Sequence, residues 1–200
     1  MLFNIPPRNP PGRTLTAYWE NFLTEEDITN LLMQPQWNNT TEGTVITKDR
    51  TADVDHKIRI TDLGWLFPNP ETADIWVKIS NVVAEVNRQY YQFDLTGIYE
   101  PMQLGIYTAE REAHYSWHTD AGLADGSVPR KLSLALCLTD PSEFEGGELQ
   151  IRNGVGEEET LELKKGRMWF FPSFVLHRVT PVTKGVRKSA VLWVGGPAFK

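Results

Sequence analysis

From residue 102 onward the sequence is a succession of short β-rich runs, and that succession limits the folds open to the chain. The runs occupy 103–108, 114–120, 131–139, 148–152, 160–163, 167–171, 175–180 and 186–195. Turn-prone stretches separate them, among them 121–129, Asn153-Gly154, Lys165-Gly166 and Lys184-Gly185. In Leu132-Ser133-Leu134-Ala135-Leu136-Cys137-Leu138 the leucines alternate with small residues, the pattern of a strand with one packed face. About eight such strands predict two facing sheets, a double-stranded β-helix or jelly roll. The open mouth between two such sheets is a natural place for a small-molecule site.

The first half has a different texture. Its opening dozen residues carry Pro6, Pro7, Pro10 and Pro11 and should be extended. Thr24-Glu25-Glu26-Asp27 resembles a capping box ahead of Ile28, Leu31 and Leu32, so a helix should open at Thr24. The polar stretch 38–57 reads as loop or a weak hairpin. A longer helix is expected over about 71–91, where Ile75, Ile79, Val82, Val83, Val86 and Tyr90 make one apolar stripe. The expected class is mainly β with supporting helices, in one domain over 1–200. Helical support and loops take 1–100, and the jelly-roll core takes 101–200.

Hydrophobic residues at 40% and charged residues at 23% are enough to bury such a core. A formal charge of −6 argues against a general polyanion binder and so against a nucleic-acid partner. The single cysteine, Cys137, excludes an intramolecular disulfide and reads as a buried thiol. No leader-like segment and no apolar run of spanning length is present. The expectation is a soluble protein of a reducing compartment, the cytoplasm, with no membrane partner and an oligomeric state left open.

Four histidines are available: His56, His114, His118 and His177. Residues two apart on a strand share a face, so His118 and Asp120 can point at one ion. His177 can join them from a distant strand brought alongside by the sheet. Two imidazoles and one carboxylate on one side of Fe(II) leave positions open for an organic co-substrate and O₂. His-x-Asp alone is a common pattern; its neighbourhood adds weight. Ten residues beyond His177 stands Arg187, and the 181–185 segment should turn the chain back so that its strand lies antiparallel beside the first. Arg187 would then sit deep in the same cavity, where a guanidinium can grip the far carboxylate of an iron-chelating dicarboxylate. Ser189 shares that face, and Tyr107 could reach the same carboxylate from another strand.

These segments together resemble a known family. Tyr115-Ser116-Trp117-His118-Thr119-Asp120, then Phe144-Glu145-Gly146-Gly147-Glu148-Leu149, Lys165-Gly166-Arg167-Met168-Trp169-Phe170-Phe171-Pro172 and finally 176–187 resemble the prolyl 4-hydroxylase-like branch of the 2-oxoglutarate/Fe(II) oxygenases, in the small bacterial and viral proteins of proline/lysine-hydroxylase-like type. The resemblance covers roughly 103–193. It implies that His118, Asp120 and His177 bind iron and that Arg187 holds the distal carboxylate of 2-oxoglutarate. Tyr107 would be a further co-substrate contact, and Trp193 would line the substrate side. The implied reaction consumes 2-oxoglutarate and O₂, releases succinate and CO₂, and hydroxylates an unactivated C–H bond. The ligand aspartate favours hydroxylation over halogenation. Gly146-Gly147 should serve a bulge or turn without chemistry.

Other readings stay open at this point. His114, His118 and Asp120 could form a cupin-like or zinc site without 2-oxoglutarate, which leaves Arg187 without a role. A helical zinc site on His114 and His118 is disfavoured by the strand-forming Tyr115, Trp117 and Thr119. A nucleic-acid demethylase of the same superfamily would want a second arginine where Trp193 stands. A lectin-like binding module would need none of these residues. By resemblance the best substrate is a prolyl residue of a peptide or protein, with a free amino acid or other small molecule as the alternative. The segments 38–57 and 121–130 are expected to flank the mouth.

Overall fold

The first helix begins where its cap residue dictates. The Thr24 hydroxyl accepts from the Asp27 N–H at 3.1 Å, and the Thr24 N–H donates to the Asp27 carboxylate at 2.7 Å. This capping box satisfies two otherwise orphaned donors and opens α1 (Glu25–Met33). Asp27 also pairs with Lys78 at 2.6 Å, tying α1 to α2 (Ala73–Val86). The chain leaves α2 through a π-turn over Asn87–Tyr91 that ends at Gln92 in the left-handed region. In this computed structural model residues 15–46, 51–124, 128–153 and 156–198 are described. The extended segment expected over the first dozen residues lies outside them, as do parts of the turns expected at 121–129 and Asn153-Gly154.

Twelve strands frame the site. They are β1 (Ala17–Trp19), β2 (Thr41–Glu42), β3 (Arg59–Ile60), β4 (Asp62–Leu66), β5 (Met102–Thr108), β6 (His114–His118), β7 (Val128–Cys137), β8 (Leu149–Arg152), β9 (Glu158–Leu161), β10 (Met168–Pro172), β11 (His177–Val179) and β12 (Val182–Gly195). The larger sheet runs β1-β10-β7-β12-β5-β4-β2, with three short strands off that path, and the smaller runs β9-β8-β11-β6-β3. Both are antiparallel. The 38–57 stretch supplies β2 and a two-stranded hairpin, Val45–Ile46 against Ala52–Asp53.

Period two sorts the larger sheet into an outer and an inner face. Leu132, Leu134 and Leu136 on β7, with Met102, Leu104, Ala190 and Leu192, pack on Ile75, Ile79, Val83 and Val86 of α2. The register pairs Leu134 with Leu192 and Leu104 with Ala190. It also pairs Ser133 with Trp193, Cys137 with Ser189 and Tyr107 with Arg187, so these small and polar residues share the inner face. Cys137 is buried there, as expected. The mainly β jelly roll with supporting helices is the fold observed.

Three expectations need correction. The strand carrying His177 does not pair with the strand carrying Arg187. β11 lies in the smaller sheet against β8 and β6, and β12 lies in the larger between β7 and β5. Pro181 has no N–H to offer a ladder, so pairing stops there and the chain crosses to the opposite sheet. The first half is also more than helices and loops: β1 to β4 all join the two sheets. The two or three residues of β1, β2 and β3 carry no readable period, and Arg59-Ile60-Thr61-Asp62 interrupts any apolar alternation ahead of the five-residue β4. Finally, β6 ends at His118, which leaves Asp120 in the segment after it.

Candidate metal centre and active site

The two histidines meet because β6 and β11 are antiparallel neighbours in which His118 and His177 are direct partners. Their ring centroids lie 4.1 Å apart. Asp120 is placed by its backbone N–H, which donates to the Ser173 carbonyl at 2.9 Å. Its carboxylate then lies 3.5 Å from His177 Nε2 and 3.8 Å from His118 Nε2. One ligand atom from each of the three falls within 4.8 Å of the others. His114 is not part of this group; its Nδ1 meets the Glu112 carbonyl.

The imidazoles are held in one tautomer. Nδ1–H of His118 donates to the Ser116 carbonyl at 2.8 Å, and Nδ1–H of His177 donates to the Val175 carbonyl at 2.9 Å. A carbonyl can only accept, so Nδ1 carries a proton and Nε2 is the atom that faces the centre. Burial, then the nearby His177, pushes the His118 pKa down to about 3, keeping the ring neutral. Burial alone would raise the Asp120 carboxyl. The neighbouring His177 and His118 and the Ser133 hydroxyl, which donates to it at 2.7 Å, outweigh that and hold it below the usual carboxylate range. Ser133 in turn contacts the Ser173 hydroxyl at 3.0 Å. Neutral imidazoles and an ionised carboxylate are the forms that ligate a divalent metal.

The same inner face holds Arg187, only 3% exposed. Its Nη1 donates to Ser189 Oγ at 3.1 Å, and its Cζ stands 5.1 Å from the Tyr107 ring centroid. No carboxylate pairs with it among the described residues, and its buried Nε has no partner. An uncompensated buried guanidinium is strongly unfavourable, so this one fits an anionic group of a ligand. Gly147 makes room for it. That residue has φ of +60°, and a Cβ there would fall 2.8 Å from Arg187 Cδ and from Val182 Cγ2. The register shift beside Gly146 confirms a bulge, yet Gly147 also serves the site.

Several residues around the centre escaped the sequence reading. The Tyr115 ring stacks on His118, with centroids 3.5 Å apart and planes 14° apart. Arg59, 6% exposed, lies 4.3 Å from the Tyr115 ring centroid and donates to Gln103 Oε1 at 2.9 Å, joining the two sheets. Arg130 covers the Trp193 ring at 3.8 Å. Trp193 Nε1–H favours the charged Asp120, but it is buried without a full hydrogen bond. The small positions in the β7 alternation were the available signal for Ser133. Arg59 and Arg130 had none, because their contacts join segments far apart in sequence.

Comparison with known proteins gives a consistent picture. Residues 102–195 match the 2OG-Fe(II) oxygenase superfamily. A PKHD-type hydroxylase of Xylella fastidiosa (strain 9a5c) is 30% identical over 168 residues, covering 78% of this chain and 68% of the relative. A prolyl-4-hydroxylase of Pseudomonas putida superposes with a TM-score of 0.71 at 19% identity, over 90% of this chain and 92% of that one. A prolyl hydroxylase from Trichoplax adhaerens, in complex with a hypoxia inducible factor oxygen degradation domain peptide fragment, gives 0.72 at 16% identity, over 91% and 84%. At these identities the structural likeness concerns the fold.

Proposed function

The chain belongs to the 2OG-Fe(II) oxygenase superfamily, and we propose that it hydroxylates prolyl residues of a peptide or protein. It is a 2-oxoglutarate-dependent hydroxylase, with Fe(II), 2-oxoglutarate and O₂ as its cofactor and co-substrates. No helix among the described residues is long and apolar enough to cross a membrane.

In this proposal His118, Asp120 and His177 hold the iron. Arg187, helped by the Ser189 hydroxyl and lined by Tyr107, holds the distal carboxylate of 2-oxoglutarate. Once bound, iron and 2-oxoglutarate consume O₂, release succinate and CO₂, and place one oxygen atom in the substrate C–H bond. The protein contributes position and charge. The Ser116 and Val175 carbonyls fix the ring orientations, and Ser133 keeps Asp120 aimed and ionised. Tyr115, stacked on His118, shields it from solvent, and Trp193 with Arg130 walls the substrate side.

The observation that carries the reaction class is the buried, carboxylate-free Arg187 on the inner face it shares with Ser133 and Trp193. A metal-binding protein without the co-substrate has no use for that charge. The prolyl substrate is supported by the relatives and by an aromatic wall suited to a pyrrolidine ring. One observation favours the alternative of a free amino acid. Arg59 is a second buried guanidinium without a carboxylate partner among the described residues, and it would suit a substrate bearing its own carboxylate. Succinate release decides between them. A pool of proline-containing peptides with blocked termini should stimulate it in the presence of Fe(II) and 2-oxoglutarate. Stimulation by free amino acids alone would overturn the peptide reading.

A further inference from the structure

We propose that Glu100 is a positioning residue: it locks the Arg130 guanidinium against Trp193 and so fixes the wall of the mouth that meets the substrate. The inference rests on the reading of His118, Asp120 and His177 as the iron site, with the substrate arriving on the Trp193 side.

Arg130 is the first residue of β7 that pairs with β12, and the register with β12 shifts between Arg130 and Leu132. That irregularity takes Arg130 out of the leucine face and over the inner-face Trp193, 3.8 Å from its ring centroid. A free arginine side chain samples many rotamers, and stacking on one ring does not select among them. Glu100 does. Arg130 Nε donates to Glu100 Oε1 at 2.6 Å, and Nη2 donates to the second carboxylate oxygen. This two-pronged pair fixes the plane of the guanidinium. The side chains are 22% and 14% exposed, so water competes weakly for the pair.

The carboxylate comes from a pinned turn. The Tyr99 ring lies over two paired glycines, where a Cβ on Gly195 would fall 3.1 Å from the ring and one on Gly97 3.6 Å. Tyr99 Oη donates to Thr96 Oγ1 at 2.9 Å, and the Thr96 N–H donates to the Gly195 carbonyl at 2.8 Å. Pro101 confines the Glu100 backbone to extended conformations. Glu100 therefore transmits the position of the β12 end to Arg130. It touches neither the metal ligands nor Arg187, so its loss should act on substrate affinity and leave the chemistry at the metal alone.

The direct test is fluorine NMR of protein labelled with 5-fluorotryptophan, loaded with 2-oxoglutarate and with zinc(II) in place of paramagnetic iron. Trp193→Phe assigns the Trp193 line, and Arg130→Ala marks its position without the guanidinium. Glu100→Gln should move the line most of the way to that position, and Glu100→Asp should fall between. In the iron enzyme with the blocked proline-peptide pool, Glu100→Gln should raise the peptide KM about tenfold with little change in kcat, and add almost nothing to Arg130→Ala. A Trp193 line in Glu100→Gln that coincides with wild type overturns the proposal, as do effects that multiply in the double variant. Should the wild type release no succinate with any peptide, the prolyl-peptide reading fails, while the fluorine line still decides the role of Glu100.

Discussion

The proposed site turns on Arg187, because its buried guanidinium has no carboxylate partner among the described residues and fits an anionic ligand. Its replacement by alanine should weaken 2-oxoglutarate binding by roughly 2–5 kcal/mol, the cost of breaking a buried charge pair, and spare iron. Anaerobic titration of the iron-to-2-oxoglutarate charge-transfer band measures both. His118→Ala or His177→Ala should abolish that band, since each removes one of three ligands. Ser133→Ala leaves the triad intact but takes away the hydroxyl that holds Asp120. It should lower iron affinity about 10- to 100-fold, the usual effect of losing a partner of a metal ligand, read by competition with a chelator. The His/Asp/His set could be found in the sequence because the residues that follow His177, Arg187 above all, give the common His-x-Asp pattern a context. Ser133 and Ser173 could not, because a small residue on the inner face of a strand looks the same whether it packs or donates.

At the level of elements, each face of β7 has one task. Its leucines pack on the helices, and Ser133 supports the metal ligand. Leu134 is fully buried against that helical layer. Leu134→Ala should therefore cost about 2–5 kcal/mol of stability, seen as a lower midpoint in denaturant, with the charge-transfer band unchanged in the protein that remains folded. The alternation in the sequence showed that one face was packed but not which partner packed on it. The β11–β12 connection departs from the expected hairpin for a physical reason: a turn segment between two strands looks the same whether the strands pair or the chain crosses between sheets. Only Pro181, which ends pairing, hints that the chain crosses to the other sheet. The crossing sets His177 and Arg187 on opposing sheets, so a ligand can bridge the gap between them.

Across the whole molecule, two sheets divide the labour. The smaller supplies His118 and His177 on adjacent strands, and the larger supplies Ser133, Arg187, Ser189 and Trp193 on its inner face. The β succession beyond residue 102 was legible because its strands are long enough to show a period. β1 to β4 were not, being short and partly polar, yet they bring Arg59 beside Tyr115. The central claim is that the metal group and Arg187 bind the two ends of one dicarboxylate. The most direct measurement compares 2-oxoglutarate with 2-oxopentanoate, which has a methyl group in place of the distal carboxylate, as ligands of the anaerobic Fe(II) protein. Wild type should favour 2-oxoglutarate by at least about 30-fold, the lower worth of a buried charge pair, and Arg187→Ala should erase the preference. Equal affinities in wild type, or a preference that survives Arg187→Ala, would contradict it.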